Sequence, residues 1–169
     1  MFGTIATQIS ASNDDFTKRT LRRIFTAMAN VISGQMLGSA GLVISAAAAV
    51  TAKTGAVAVN ATVNGRLISI PAGTVLPALT GTTLINAFNI YVFYINNASV
   101  ITSNMGIAAT TLGGVIWPQT PVGSVIVGAL TVNPTAASFV GGTTALDAVS
   151  TNVVYISPVG AFDPSINYA

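Results

Sequence analysis

The sequence predicts a mainly β protein: an antiparallel β-sandwich or jelly-roll-like barrel carrying an N-terminal amphipathic helix. Three observations lead there. Turn signals recur roughly every ten residues between short runs rich in Val, Ile, Thr, Tyr and Phe. An Asn-Gly pair, Asn64-Gly65, separates two of those runs. Ahead of them, a capping pattern opens a stretch whose apolar residues recur at helical spacing. The expected organisation is an N-terminal arm over residues 1–40 and a β domain over residues 41–169.

The helix is expected over Asp14–Ser33. Ser12 followed three residues later by Asp15 has the form of a capping box with Asp in place of Glu, and Asp14 and Asp15 suit the positive end of a helix dipole. Phe16, Leu21, Ile24, Phe25, Met28, Val31 and Ile32 line one side, Lys18, Arg19, Arg22 and Arg23 gather in the first two turns, and Gly34 and Gly38 are stop signals. A secretory signal also places basic residues before apolar ones, but here the basic run lies well inside the chain behind two Asp. A membrane helix is the competing reading, since no charge occurs from Ile24 to Ala52. Asn30, Ser33, Gly34, Gln35, Gly38, Ser39 and Gly41 interrupt that run, and "GLVISAAAAVTA" reads equally as a strand.

In the body, "AVAVNATV" (Ala56–Val63) and "RLISI" (Arg66–Ile70) flank Asn64-Gly65, whose two residues tolerate the positive φ of a type I′ hairpin turn. Ile70–Gly81 holds two prolines and two glycines and reads as an extended loop. "NIYVFYI" (Asn89–Ile95) is apolar on both sides, with Ile90, Val92 and Tyr94 on one and Tyr91, Phe93 and Ile95 on the other. Such a strand is covered twice, and Tyr91, Phe93 and Ile95 are the expected oligomer interface. Asn96-Asn97 turns the chain into "SVITS" (Ser99–Ser103). "LGGVIWP" (Leu112–Pro118), "GSVIVGALTV" (Gly123–Val132) and "TNVVYIS" (Thr151–Ser157) supply three further strands, with a helical turn near Ala145–Val149.

Composition narrows the chemistry. The 169 residues include no His, no Cys and no Glu, and charged residues make up 6%. That removes imidazole bases and ligands, thiol nucleophiles, disulfides and thiolate metal sites. The four carboxylates are Asp14, Asp15, Asp147 and Asp163, which gives no paired-carboxylate motif. No phosphate-binding loop or nucleophile elbow is present, and a Ser-Lys pair through Lys53 is a remote reading. Neither catalytic residues nor cofactors nor metals are expected. The net charge of +2 and one short basic run disfavour nucleic acid as a partner. A surface so poor in charge instead favours obligate assembly.

Three stretches carry a resemblance: "VNGRLISIPAGTVLPALTGTTLINAFNIYVFYINNASVITSNMG" (Val63–Gly106), "LGGVIWPQTPVGSVIVGALTVNP" (Leu112–Pro134) and "FVGGTTALDAVSTNVVYISPVGAFDP" (Phe139–Pro164). Together they resemble a group of small virion structural proteins of tailed bacteriophages. The resemblance implies a non-enzymatic virion protein, a capsid decoration (cement) protein that forms a homotrimer and binds the major capsid protein or another virion component. It brings no catalytic positions. In that reading Lys18, Arg19, Leu21, Arg22, Arg23, Ile24, Phe25 and Met28 contact the partner. The alternatives are a host-binding module of a phage tail or head fibre, using loops Pro71–Gly81 and Asn133–Val149, and a membrane-inserted protein using residues 24–52.

Overall fold

In the computed structural model, residues 18–22 and 34–162 are described. The protein is mainly β, with eleven strands among the described residues in several antiparallel sheets. Two larger sheets organise it. The first joins β1 (Gln35–Met36), β4 (Val59–Val63) and β5 (Arg66–Ile70) in the order β1-β4-β5. The second joins β7 (Asn89–Asn96), β8 (Ile101–Met105), β9 (Ser124–Val132) and β11 (Val154–Ile156) in the order β11-β9-β7-β8. Two short ladders complete the set: β2 (Val43–Ile44) with β3 (Ala52–Lys53), and β6 (Thr82–Thr83) with β10 (Phe139–Val140).

The β4–β5 hairpin turns where its sequence requires. Asn64 and Gly65 have φ of 50° and 74°, the double positive φ of a type I′ turn, and Val63 pairs with Arg66 across it. Val59, Ala61 and Val63 point inward from β4, and Ile68 and Ile70 from β5. The alternation is therefore regular, and the apolar Leu67, just ahead of Ile68, faces outward. The β7–β8 hairpin turns through Asn96, whose Oδ1 accepts from the N–H groups of Ala98 (2.9 Å) and Val100 (3.0 Å). This is the Asn-for-backbone substitution that makes Asn a turn residue.

β7 is central. Tyr91, Phe93 and Ile95 enter the larger core, which also takes Val59, Ile68 and Ile70 from the first sheet. Ile90, Val92 and Tyr94 enter a smaller core on the opposite side, with Ile126 and Ala129 and the half-buried Val115, Trp117 and Ile156. Both sides of this strand are thus covered from within the chain. Tyr91 and Phe93 are 0% exposed and Ile95 2%. This corrects the expected oligomer interface: side chains without accessible surface in one chain have nothing left to offer a second copy.

β9 must serve the same two cores and does so with a bulge. The β7–β9 register shifts between Phe93 and Tyr94, passing from Gly128 to Ile126 and leaving Val127 as the extra residue. The side-chain phase changes there. Val125 and Val127 share the larger core with Leu130 and Val132, while Ile126 and Ala129 take the smaller one. Gly128 sits at the phase change under close approach: a Cβ there would lie 2.5 Å from Leu42 Cδ1 and 2.8 Å from the Ile156 carbonyl oxygen.

Other expectations are redrawn. The β body takes in residues ahead of 41, because Met36 is buried in the larger core and pairs with Ala61. "GLVISAAAAVTA" makes the β2–β3 hairpin, with Ala48 at φ 55°, in place of one strand. Residues 34–52 contain no helix, so the apolar run from 24 to 52 does not continue as one membrane helix. "LGGVIWP" forms a single 3-10 turn, Leu112–Gly114, followed by an isolated bridge from Ile116 to Ile107. Residues 145–149 form turns and no helix.

Candidate interaction surface

Of the expected partner-contact residues, Lys18, Arg19, Leu21 and Arg22 lie in a helical stretch, residues 18–22. Arg19 and Arg22 are exposed, and Lys18 and Leu21 half-buried. Arg23, Ile24, Phe25 and Met28, and most of the expected Asp14–Ser33 helix, lie outside the described residues.

From residue 34 to 162 the charged side chains are Lys53, Arg66 and Asp147. Arg66 Nη1 donates to the Asn97 carbonyl at 2.9 Å, which ties the β4–β5 turn to the β7–β8 turn. Asp147 Oδ2 accepts from the Ala48 N–H at 2.9 Å, and the Leu146 N–H donates to the Ala49 carbonyl at 2.9 Å, so this carboxylate staples the β2–β3 turn to the 145–149 loop. Both charges are thus engaged with backbone. Among the described residues, no group of three or more His, Cys, Asp or Glu side chains is placed to hold a metal ion.

The buried phenols are likewise internal. Burial pushes the Tyr91 hydroxyl above its ordinary range, and its 3.0 Å hydrogen bond with the Thr83 hydroxyl pulls it partly back. Tyr91 also meets Phe139 edge-on at 5.6 Å. Tyr155 is raised by burial and then by the negative charge of Asp147. Tyr94 donates to the Pro118 carbonyl at 3.1 Å, holding the 106–118 hairpin against the smaller core.

The exterior is apolar where a soluble β protein ordinarily carries charge. Ile107 and Ile116 exchange two backbone hydrogen bonds (2.9 and 3.2 Å). Directly opposed residues project to one side, and these two are 65% and 55% exposed. Leu112, in the turn between them, is exposed as well. Leu37 and Val159, each one residue from the Met36–Gly160 bridge, form a second exposed apolar pair, and Phe162, also exposed, meets Trp117 edge-on at 5.6 Å. Sequence reasoning missed both groups. The signal available is "GIAATTLGGVIW", in which apolar residues stand on both sides of a turn; the sequence reading takes only its second half, within Leu112–Pro118, and takes it as a strand. No helix among the described residues is long and apolar enough to cross a membrane.

No protein-family model, no curated protein and no solved structure matches the chain.

Proposed function

We propose that this chain is a non-enzymatic structural protein of a bacteriophage virion, a capsid decoration protein that stabilises the shell by covering it in many copies. The carrying observation is the surface: exposed Ile107, Leu112, Ile116, Leu37, Val159 and Phe162 within residues 34–162, which hold three charged side chains. Such a surface is favourable when covered, and burial of apolar area is worth about 25 cal/mol per Å². The resemblance of three long stretches to small virion proteins supplies the setting. In this reading the two larger sheets are the layers of a β-sandwich closed over the larger core. The arm is an amphipathic helix, with Lys18, Arg19, Arg22 and Arg23 directed at an acidic partner and Leu21, Ile24, Phe25 and Met28 packed on protein. The copies associate as a homotrimer, and the arm docks on the major capsid protein or another virion component.

The test is removal of the protein from particles. Virions lacking it should assemble and attach to host cells normally, yet rupture at lower temperature or under milder osmotic shock. Particles that keep full heat and osmotic resistance but lose attachment would overturn the decoration reading in favour of a fibre module.

A further inference from the structure

We propose that the free edge of the four-stranded sheet is a self-association site, at which β8 pairs antiparallel with β8 of a second copy about a twofold axis at Ser103. The hydrogen bonding fixes which atoms are available. The Asn96 N–H donates to the Val100 carbonyl (3.1 Å) and the Gly106 N–H to the Ile90 carbonyl (2.8 Å). With the intervening register Val92–Asn104 and Tyr94–Thr102, the even-numbered residues of β8 face β7. In an antiparallel ladder the alternate residues then direct their backbone groups the other way. Those residues are Ile101, Ser103 and Met105. Among the described residues no backbone–backbone hydrogen bond uses the outward N–H and C=O groups of these three, although the Ser103 hydroxyl donates to the Ala78 carbonyl at 3.3 Å.

Edge strands of proteins that stay apart are blunted by charge, proline or a bulge. Val100–Met105 has no charged residue and no proline, and its pairing with β7 runs without a register shift. What covers such an edge is another extended strand, and this one fits its own reverse. About a twofold at Ser103, Ile101 opposes Met105 of the second copy and Ser103 opposes its counterpart. The three outward residues then exchange about six backbone hydrogen bonds. On one side Ile101 meets the exposed Met105, apolar on apolar, and on the other Thr102 meets Asn104, polar on polar. No like charges meet across the axis. The two four-stranded sheets become one continuous sheet. A twofold contact does not build a trimer; it joins a subunit of one trimer to a subunit of the next. The inference concerns the purified chain and stands apart from the virion reading.

Because the chain has no cysteine, Ser103→Cys gives a one-thiol probe of the axis. Opposed residues of a hydrogen-bonded antiparallel pair lie about 5.5 Å apart at Cα, within disulfide reach. Mild oxidation of Ser103→Cys should give a disulfide dimer, whereas Ser69→Cys, at an exposed position of β5, should not. Thr102→Lys/Asn104→Lys places like charges opposite each other and should weaken association about tenfold, and Thr102→Lys/Asn104→Asp should restore it. Equal crosslinking at both positions, or the same association for both charge patterns, would overturn the proposal. Neither result bears on whether the protein is found in virions or strengthens them, so failure of this contact and failure of the decoration reading are separately visible.

Discussion

Gly128 carries a demand that its neighbours in β9 do not. A methyl group there must displace the Leu42 side chain and also meet the Ile156 carbonyl, which is backbone held in the β9–β11 ladder. Gly128→Ala should therefore destabilise the fold by about 1–3 kcal/mol, read as a lower urea midpoint at unchanged slope. The tyrosines set the alkaline limit. Tyr91 and Tyr155 both have folded pKa values raised above the ordinary 10.0, by burial first in each case. The unfolded chain then releases these protons at lower pH than the folded one. The stabilisation is whole below pH 10 and is lost as the pH rises through the folded values. Thermal midpoints should hold as the pH approaches 10 and fall above it, and Tyr91→Phe should make that fall shallower. Asn64-Gly65 was legible at this scale because its turn chemistry is local. Gly128 was not, since the need for glycine comes from Leu42 and Ile156, both distant in sequence.

β7 shows what a strand with two apolar sides means in this chain. Doubly apolar character was readable from Asn89–Ile95; the identity of the cover was not. Each side is closed by the chain itself, by β4, β5 and β9 on one side and by the 106–118 hairpin on the other. Phe93→Ala should cost about 3–5 kcal/mol. The difference in denaturation midpoint between variant and parent should stay the same on dilution. A ring buried between subunits would give a difference that changes with protein concentration. The 3-10 turn at Leu112–Gly114 was misread as strand for a related reason. Apolar residues there face outward, and hydrophobic pattern alone cannot tell an exposed apolar element from a buried one.

For the whole molecule, the boundary between arm and body decides how a truncation behaves. Met36 sits in the larger core, and β1 pairs with β4. A chain beginning at Gly34 should fold and unfold cooperatively, as judged by calorimetry. One beginning at Gly38 gives up the β1 ladder and the Met36 side chain, which by size is worth about 2–5 kcal/mol, and should melt at a distinctly lower temperature. In the decoration reading, the chain beginning at Gly34 keeps its fold yet loses occupancy on the shell. Full occupancy would assign the docking to the body. The class of fold was legible from turn spacing and β-rich runs. The arrangement of sheets was not, because pairings such as β1 with β4 and β6 with β10 join segments that no local signal connects.

The Met36–Gly160 bridge has a mechanical meaning. Its two hydrogen bonds, 3.1 and 2.8 Å, join the first strand of the body to the segment after β11. The strands run antiparallel, so residues 34 and 162 leave from the same end of the bridge. Tension between them peels the bonds one after the other and does not shear them together. A tether at either end of the body therefore loads the two bridge bonds and the edge-on Phe162–Trp117 contact in turn, and not the whole packing around β7 at once.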